Sequence, residues 1–346
     1  ISLSDTEVLL KLIEKYGLKI LNKLNGMFAF AYYNKETESI FLVNDRYGIK
    51  QLFYYIQDNK IAFSSEDSVL MKVLNIPFKF NQSYIETLYI KDIDDFERKL
   101  INENIHSVKA GEYIEITKDN QIKKNKYYYF NDFDIKSLNI DYRKKKNVIN
   151  YFEELLTDSI KLRCNTNLPI AMTLSGGTDS TLIYTLIKEK LGNNITAFTY
   201  SNQNEKKDEY NLVEKLVKKY NDKVIKLEYD NEKFKEDYEN ALIALNAPCC
   251  ISDAGYYSVY KRIKEKNFKV LLEGHGADEI LGGYPTYFIP AIKQAILENK
   301  LLLALNILNI HKLNRTVNIT PKEIQSILKC LFRIEKTNPK IYSQCI

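Results

Sequence analysis

The sequence predicts an α/β protein in two parts: an N-terminal α+β layer built on antiparallel sheet, followed by a doubly wound parallel sheet. Three observations carry this. Residues 1–130 hold short aromatic and β-branched runs separated by polar turns, whereas from about residue 148 apolar strands and amphipathic helices alternate. Between them, residues 131–147 are polar and end in four consecutive basic residues before Asn147, which reads as a linker. The chain length of 346 residues suits two domains of roughly 100–200 residues each.

In order, Asp5 to Tyr16 places Val8, Leu9, Leu12 and Ile13 at helical spacing, with Gly17 as a stop. GMFAFAYYNKETESIFLV reads as a hairpin turning at Asn34–Glu38, and QLFYYIQDNKIAFSS as a second one turning at Asp58–Asn59. Residues 84–100 are mixed and predicted helical; GEYIEIT and KKNKYYYF close this half as a strand pair. Asn150–Leu162 is a predicted helix with Phe152, Leu155, Leu156 and Ile160 inward, before a buried strand at 168–174. Helix Thr181–Leu191, strand NITAFTY, helix Lys206–Tyr220 with Leu212, Val213, Leu216 and Val217 inward, strand KVIKLEY, helices 232–246 and 254–266, and strand FKVLLEG complete the alternation. Such a series predicts parallel strands with right-handed crossovers.

Composition excludes several classes. Hydrophobic residues at 45% and charged residues at 27% are globular values. A net charge of +5 spread over the chain gives no basic patch for nucleic acid. Leu301–Ile310 is the most apolar run, contains Asn306 and Asn309, and falls short of a span; it reads as a buried helix, so no membrane partner is expected. The five cysteines (Cys164, Cys249, Cys250, Cys330, Cys345) read as small buried thiols of a reducing compartment, hence a cytoplasmic protein. His106, His275 and His311 lack metal-ligand spacing, so no structural zinc is expected. The opening ISLSDTEVLL has neither the basic region nor the cleavage site of a signal peptide.

The densest chemistry lies where the strand at 168–174 runs through Ser175-Gly176-Gly177-Thr178-Asp179-Ser180 directly into a helix. Two glycines permit positive φ and close backbone approach, Ser175 and Ser180 offer hydroxyls, and the helix start offers unpaired N–H groups and a positive dipole end. Together they can cradle an oxyanion. Asp179 would repel a phosphate unless Mg²⁺ lies between them. The pattern is not the Walker loop. A second segment, LLEGHGADEILGGYPTYF at 271–288, leaves a strand through a glycine-punctuated loop bearing Asp278 and Glu279. Ligands bind beyond the carboxyl ends of such strands, so this loop can face the first and its carboxylate can complete a Mg²⁺ shell; alternatively Asp278 and Glu279 cap the following helix.

SGGTDS resembles the pyrophosphate loop of the ATP pyrophosphatase superfamily, which splits ATP into AMP and pyrophosphate. The resemblance implies ATP and Mg²⁺, with Ser175, Gly176, Gly177, Asp179 and Ser180 on the pyrophosphate and Leu174 and Tyr200 beside the adenosine. Together with Gly274, Gly276, Asp278, Glu279, Gly282, Gly283 and Tyr284, it narrows to a resemblance to the asparagine synthetase family. By that likeness Asp278 joins Asp179 as a metal ligand, Glu273 and Gly274 line the AMP pocket, and His275 and Glu279 are catalytic. Asp208-Glu209 and Pro248 with Ser252 also fall where relatives place such residues. One departure stands out: standard members carry glutamate where this chain has His275. A neutral imidazole can deprotonate an incoming amine. It leaves the acceptor open between aspartate, another carboxylate and a sugar, and a loop histidine packed by chance remains an alternative.

The first half resembles the back end of that family's Ntn-hydrolase-type glutaminase domain, through SDTE at 4–7, NGMFAFAYYN at 25–34, NDRYGIKQLFYY at 44–55, AFSSE at 62–66, and Ile105–Gly111 with Tyr127–Tyr129. The likeness implies that Asp5 binds the amino group of glutamine. The family's N-terminal cysteine nucleophile and its later lysine-bearing segment fall outside Ile1–Ile346, so the expectation is a piece cut at both ends that does not itself hydrolyse glutamine. The implied division is 1–130 partial glutaminase, 131–147 linker, and 148–346 synthetase domain with an incomplete C-terminus. The implied reaction adenylates an acceptor carboxylate, aspartate first, then amidates it with glutamine-derived ammonia. The alternatives are adenylation of a different acceptor and a non-catalytic nucleotide-binding relative. Relatives often dimerise, which makes a homodimer the implied assembly.

Overall fold

A computed structural model describes residues 4–57, 60–86, 100–129, 144–201, 209–228, 231–284 and 287–313. The chain divides into two compact units: residues 1–147 with 236–254, and residues 148–235 with 255–346.

The first unit opens with helix α1 (Asp5–Tyr16), whose Ser4 side chain accepts the Thr6 N–H and which stops at Gly17. Strands β1 (Ala29–Asn34) and β2 (Ser39–Asn44) form the first predicted hairpin, paired from Ala29↔Asn44 to Asn34↔Ser39. Strands β3 (Phe53–Gln57) and β4 (Lys60–Ser64) form the second; its turn residues Asp58 and Asn59 lie outside the described residues. Helix α2 (Asp67–Leu74) and short α3 (Gln82–Ile85) follow, and most of the predicted helical stretch 84–100 lies outside the described residues. Strand β5 (His106–Ser107) pairs with β3, and β6 (Glu112–Ile116) with β7 (Ile122–Lys126) is the closing pair. The result is a four-stranded sheet β1-β2-β6-β7 and a three-stranded sheet β4-β3-β5.

Leu42, Ile114 and Ile116 from the first sheet meet Leu52, Tyr54 and Val108 to form one core, while Phe53 turns to the other side to pack with Leu70, Ile76 and Ile105. The alternation of Phe53 and Tyr54 between two cores is the period of a strand buried on both faces. Asp45, 1% exposed, ties the turn after β2 together. Its carboxylate accepts N–H bonds from Phe28, Tyr47, Ile49 and Lys50, and its carbonyl accepts those of Gly48 and Gly111.

The second unit begins with helix α4 (Lys145–Cys164), so the stretch predicted as linker ends inside a helix; residues 130–143 are outside the described set. Strand β8 (Ile170–Thr173), helix α5 (Thr178–Leu186) with a π turn at Ile187–Leu191, strand β9 (Thr196–Ser201), helix α6 (Tyr210–Lys218), strand β10 (Val224–Glu228), helix α7 (Asn231–Leu245), most of which falls in the 236–254 segment of the first unit, helix α8 (Ile251–Glu265) and strand β11 (Val270–Leu272) then alternate along the chain. The four strands are parallel in the order β10-β9-β8-β11. Helices cover both faces: Ile160 of α4, Tyr184 of α5 and Val213 and Val217 of α6 pack with Met172 and Ala197, while Val259 and Ile263 of α8 pack with Ala171 and Phe198. The doubly wound sheet is therefore present as predicted. Helices α9 (Ala277–Leu281), α10 (Phe288–Leu297) and α11 (Leu301–Leu313) follow it.

Four burial expectations are corrected. Phe152 and Leu155 are 37% and 53% exposed, because Leu156, Ile160 and Cys164 occupy the stripe of α4 that meets the core. Leu212 is 57% exposed for the same reason, with Val213 and Val217 inward. The run at 301–310 buries Ala304 but leaves Leu301, Leu302, Leu303 and Leu305 exposed, since only one side of α11 packs on α10. Among the described residues no helix is long and apolar enough to cross a membrane. Cys164 is buried as expected, but Cys250 is exposed at the start of α8, and Cys330 and Cys345 lie outside the described residues.

Because four backbone N–H groups depend on one buried carboxylate, Asp45→Ala should lower the unfolding free energy by about 3 kcal/mol, read as a reduced urea midpoint at unchanged slope. An unchanged midpoint would show that the turn holds without it.

Candidate active site

The strand order fixes where a ligand can enter. Strand β8 comes first in the sequence of the sheet and lies between β9, the second, and β11, the fourth. Connections from β8 and β9 wind one way and the step to β11 winds the other, so the topological switch point lies between β8 and β11. The pairing Leu272↔Met172 brings both strands to their carboxyl ends side by side, and the two glycine-bearing segments leave from there.

The first loop holds itself. Leu174, 2% exposed, extends the sheet by donating its N–H to the Phe198 carbonyl at 2.8 Å. Ser175 and Ser180 hydroxyls lie 3.3 Å apart, Ser180 Oγ also accepts the Ser175 N–H, and Ser175 Oγ accepts the Gly177 N–H. The serine hydroxyls thus brace the loop. Gly176 has φ +74°, where a side chain would be strained and would press on Leu212. Of the two glycines that permit positive φ, Gly176 uses that freedom, whereas Gly177 is extended at φ −68° and caps α5, and its lack of a Cβ admits the Ser175 hydroxyl. Asp179 sits in the first turn of α5.

The second loop packs directly on the first. A Cβ on Gly274 would lie 3.0 Å from the Ser180 nitrogen and 3.2 Å from the Asp179 Cβ. No larger residue fits without prising the loops apart. Asp278 and Glu279 occupy the first turn of α9, so they stand at a helix start as the alternative reading had it, and also beside the first loop. Burial holds the Asp179 carboxyl above the usual carboxylate range, and the charges of Asp278 and Glu279 add to that. Glu279 is held low, chiefly by the hydroxyl of Tyr284 at 2.8 Å, and that phenol is in turn pushed up to about 12. A Cβ on Gly283 would collide with the Asp278 carboxylate, so the glycine pair after α9 also makes room for this acid.

Glu273, at the β11 exit, joins three elements. Its Oε1 accepts from Thr173 Oγ1 at 3.2 Å, its Oε2 from the Tyr260 hydroxyl at 2.8 Å, and Nδ1 of His275 lies 3.3 Å from Oε2. The His275 ring meets the Tyr256 ring edge to face, with centroids 4.8 Å apart. Thr173, Tyr256 and Tyr260 were missed from the sequence. A single polar residue closing an apolar strand was the available signal for Thr173, while Tyr256 and Tyr260, one turn apart in a predicted helix, carry no such signal. Tyr200 lies near the end of β9, packed with the core below α8. Asp5, in the first turn of α1, belongs to the other unit. Asp208 is outside the described residues, and Ser252 bonds Cys250 near the start of α8.

Asp179 and Asp278 stand in the first turns of α5 and α9, near enough that the charge of Asp278 raises the Asp179 carboxyl, and such a pair of acids suits Mg²⁺. Among the described residues no group of three or more His, Cys, Asp and Glu side chains could hold a metal ion alone. Mg²⁺ takes one or two carboxylates and fills its remaining positions with waters and phosphate oxygens, so a pair suffices.

An antiparallel unit, followed in sequence by a parallel sheet with two loops meeting at its switch point, defines a two-part α/β protein. A family model described as asparagine synthase matches residues 151–324, and one described as a glutamine amidotransferase domain matches residues 1–128. The chain belongs to the asparagine synthase family. It is 28% identical to asparagine synthetase [glutamine-hydrolyzing] 2 of Bacillus subtilis over 83% of its own length and 40% of that protein's. It is 25% identical to asparagine synthetase [glutamine-hydrolyzing] 1 of the same organism, over 83% of the chain and 44% of the relative. Amidase chyE of Penicillium rubens is 23% identical, over 82% of the chain and 44% of the relative. The chain thus spans less than half the length of these relatives.

The raised Asp179 carboxyl has a sign that can be measured. Its ionised form costs folding free energy, a cost present above its folded-state pKa and absent below the ordinary value near 3.9. Asp179→Asn should therefore melt higher than the wild type at pH 7, with the gap closing toward pH 4. A lower melting point at pH 7 would contradict the like-charge arrangement.

Proposed function

We propose that the protein is an ATP-dependent amidotransferase: residues 148–346 activate an acceptor carboxylate, and residues 1–130 belong to the part that delivers ammonia from glutamine. The observation that carries this reading is the meeting of two acid-bearing loops at the switch point, with Gly274 packed on the Asp179–Ser180 peptide. Family membership supports it.

In the proposed reaction, the Gly176 backbone, the Ser175 and Ser180 hydroxyls and the N-terminus of α5 receive the pyrophosphate portion of ATP. Leu174, Tyr200, Glu273 and Gly274 border the adenosine and AMP portion. Mg²⁺, held by Asp179 and Asp278, would supply charge neutralisation between the acceptor and the phosphates. An acceptor carboxylate oxygen attacks the α-phosphorus, and pyrophosphate leaves. Ammonia then attacks the activated carbonyl, and AMP departs with the bonding electrons. Glu279, kept ionised by Tyr284, orders the loop beside Asp278. His275 accepts a proton from the attacking nitrogen. Asp5 takes the amino group of glutamine. Aspartate is the first acceptor to test.

A second reading keeps the adenylation and changes the acceptor to another carboxylate or a sugar. His275 in the loop motivates it, as does likeness to a relative named as an amidase rather than a synthetase.

Pyrophosphate release from ATP in the full-length protein, with Mg²⁺, an acceptor and an ammonia source, tests the reading. Asp179→Ala should slow it by about 100-fold or more, in keeping with the loss of one preorganised electrostatic group. Normal turnover in that variant would remove the proposed metal role. In the same assay, AMP formation across an acceptor panel should be fastest with aspartate; preference for another acceptor would move the assignment to the second reading.

A further inference from the structure

The Glu273 cluster contains more organisation than lining a nucleotide pocket requires. Glu273 has 19% of its side chain exposed, against 56% for His275, so a mostly covered carboxylate backs a largely open imidazole. Two of its contacts are with hydroxyls that donate to it: Thr173 at the end of β8 and Tyr260 on α8. Burial and the Glu273 charge both push the Tyr260 phenol well above its ordinary value, so it stays a donor. With both Glu273 oxygens already accepting from hydroxyls, the contact with His275 at 3.3 Å suits a hydrogen on Nδ1 pointing at Oε2.

We propose that Glu273 is a positioning residue that fixes the neutral His275 ring as its Nδ1–H tautomer, leaving Nε2 as the lone pair that takes a proton from the nitrogen nucleophile. Among the described residues, none hydrogen-bonds Nε2. The Tyr256 ring, edge to face with the imidazole, limits its rotation from the α8 side. Tyr256 and Tyr260 from α8, Glu273 beside it and Glu279 from α9 are the titratable groups around the ring. The step balances: the N–C bond forms, the C–O bond to AMP breaks with its electron pair on AMP, and one proton of the attacking nitrogen passes to Nε2. This rests on the amidotransferase reading for its substrate, but the tautomer belongs to the chain alone.

Nitrogen-15 NMR of the labelled full chain at alkaline pH tests it, with the His275 signals identified by their loss in His275→Ala. The expected pattern is a protonated Nδ1 and a bare Nε2, shifting in Glu273→Gln toward the Nε2–H form. In amide formation, His275→Ala should cost about 100-fold and Glu273→Gln about 10-fold, and the double variant no more than His275→Ala alone. A wild-type ring protonated on Nε2, or full additivity in the double variant, would overturn the proposal. If the intact protein released no pyrophosphate, the adenylation reading would fall while the tautomer pattern still decided the role of Glu273. If Glu273→Gln did not fold, the wild-type spectrum would decide it.

Discussion

The close approach of Gly274 to the Asp179–Ser180 peptide is the constraint on which the second unit's chemistry depends. Strand order makes it possible: β8 and β11 are parallel neighbours although Thr173 and Glu273 are 100 residues apart in sequence. The missing side chain then makes it tight. With the loops in contact, acids from two distant segments share one crevice, and their mutual repulsion is a cost that the sheet's packing must offset. The cost is visible at Asp179, whose carboxyl sits above its usual range through burial and the charges of Asp278 and Glu279. Functional sites commonly carry such local destabilisation, because a group set for a ligand is unbalanced without it.

Around that contact the unit uses its polar groups in two ways. Ser175 and Ser180 bond within the loop, which preorganises its backbone but turns the hydroxyls inward. Glu273 instead links β8, α8 and the second loop through Thr173, Tyr260 and His275. The first arrangement braces the loop and uses the Ser175 and Gly177 N–H groups within it; the second sets one ring against a carboxylate. Preorganisation of this kind lowers the rearrangement needed when charge develops during a reaction.

Much of this was legible in the sequence because the relevant signals are local. The 3.6-residue spacing and Gly17 marked α1, the turn at Asn34–Glu38 marked the first hairpin, and the alternation after residue 148 marked the parallel sheet. The glycines and acids of both loops were visible for the same reason. What was not legible depends on tertiary context. Leu212 and Leu155 fit a helical stripe by spacing, yet lie exposed because the adjoining core is narrower than the apolar pattern. Gly177, free to take positive φ, is instead an extended cap. Thr173 and Tyr260 gained their significance only when folding brought both hydroxyls to one carboxylate.

The charge pattern of the crevice also constrains how the proposed reaction must be ordered. Asp179, Asp278, Glu279 and Glu273 give the loops a strongly acidic character, and the N-terminal dipole of α5 alone offsets only about half an elementary charge. An acceptor carboxylate and a nucleotide tail are both anions, so neither gains by entering this crevice unaccompanied. In the proposed reaction Asp179 and Asp278 would hold a divalent cation arriving with the nucleotide, and that cation would supply neutralisation of the phosphate and carboxylate charge. Activation then precedes amidation for an electrostatic reason. In the proposed reaction, once pyrophosphate departs the acceptor is a mixed anhydride with AMP, whose carbonyl no longer bears the carboxylate charge and is open to an uncharged nitrogen nucleophile, and the remaining need is for a base. His275, beside Glu273, would supply that base in the proposed reaction.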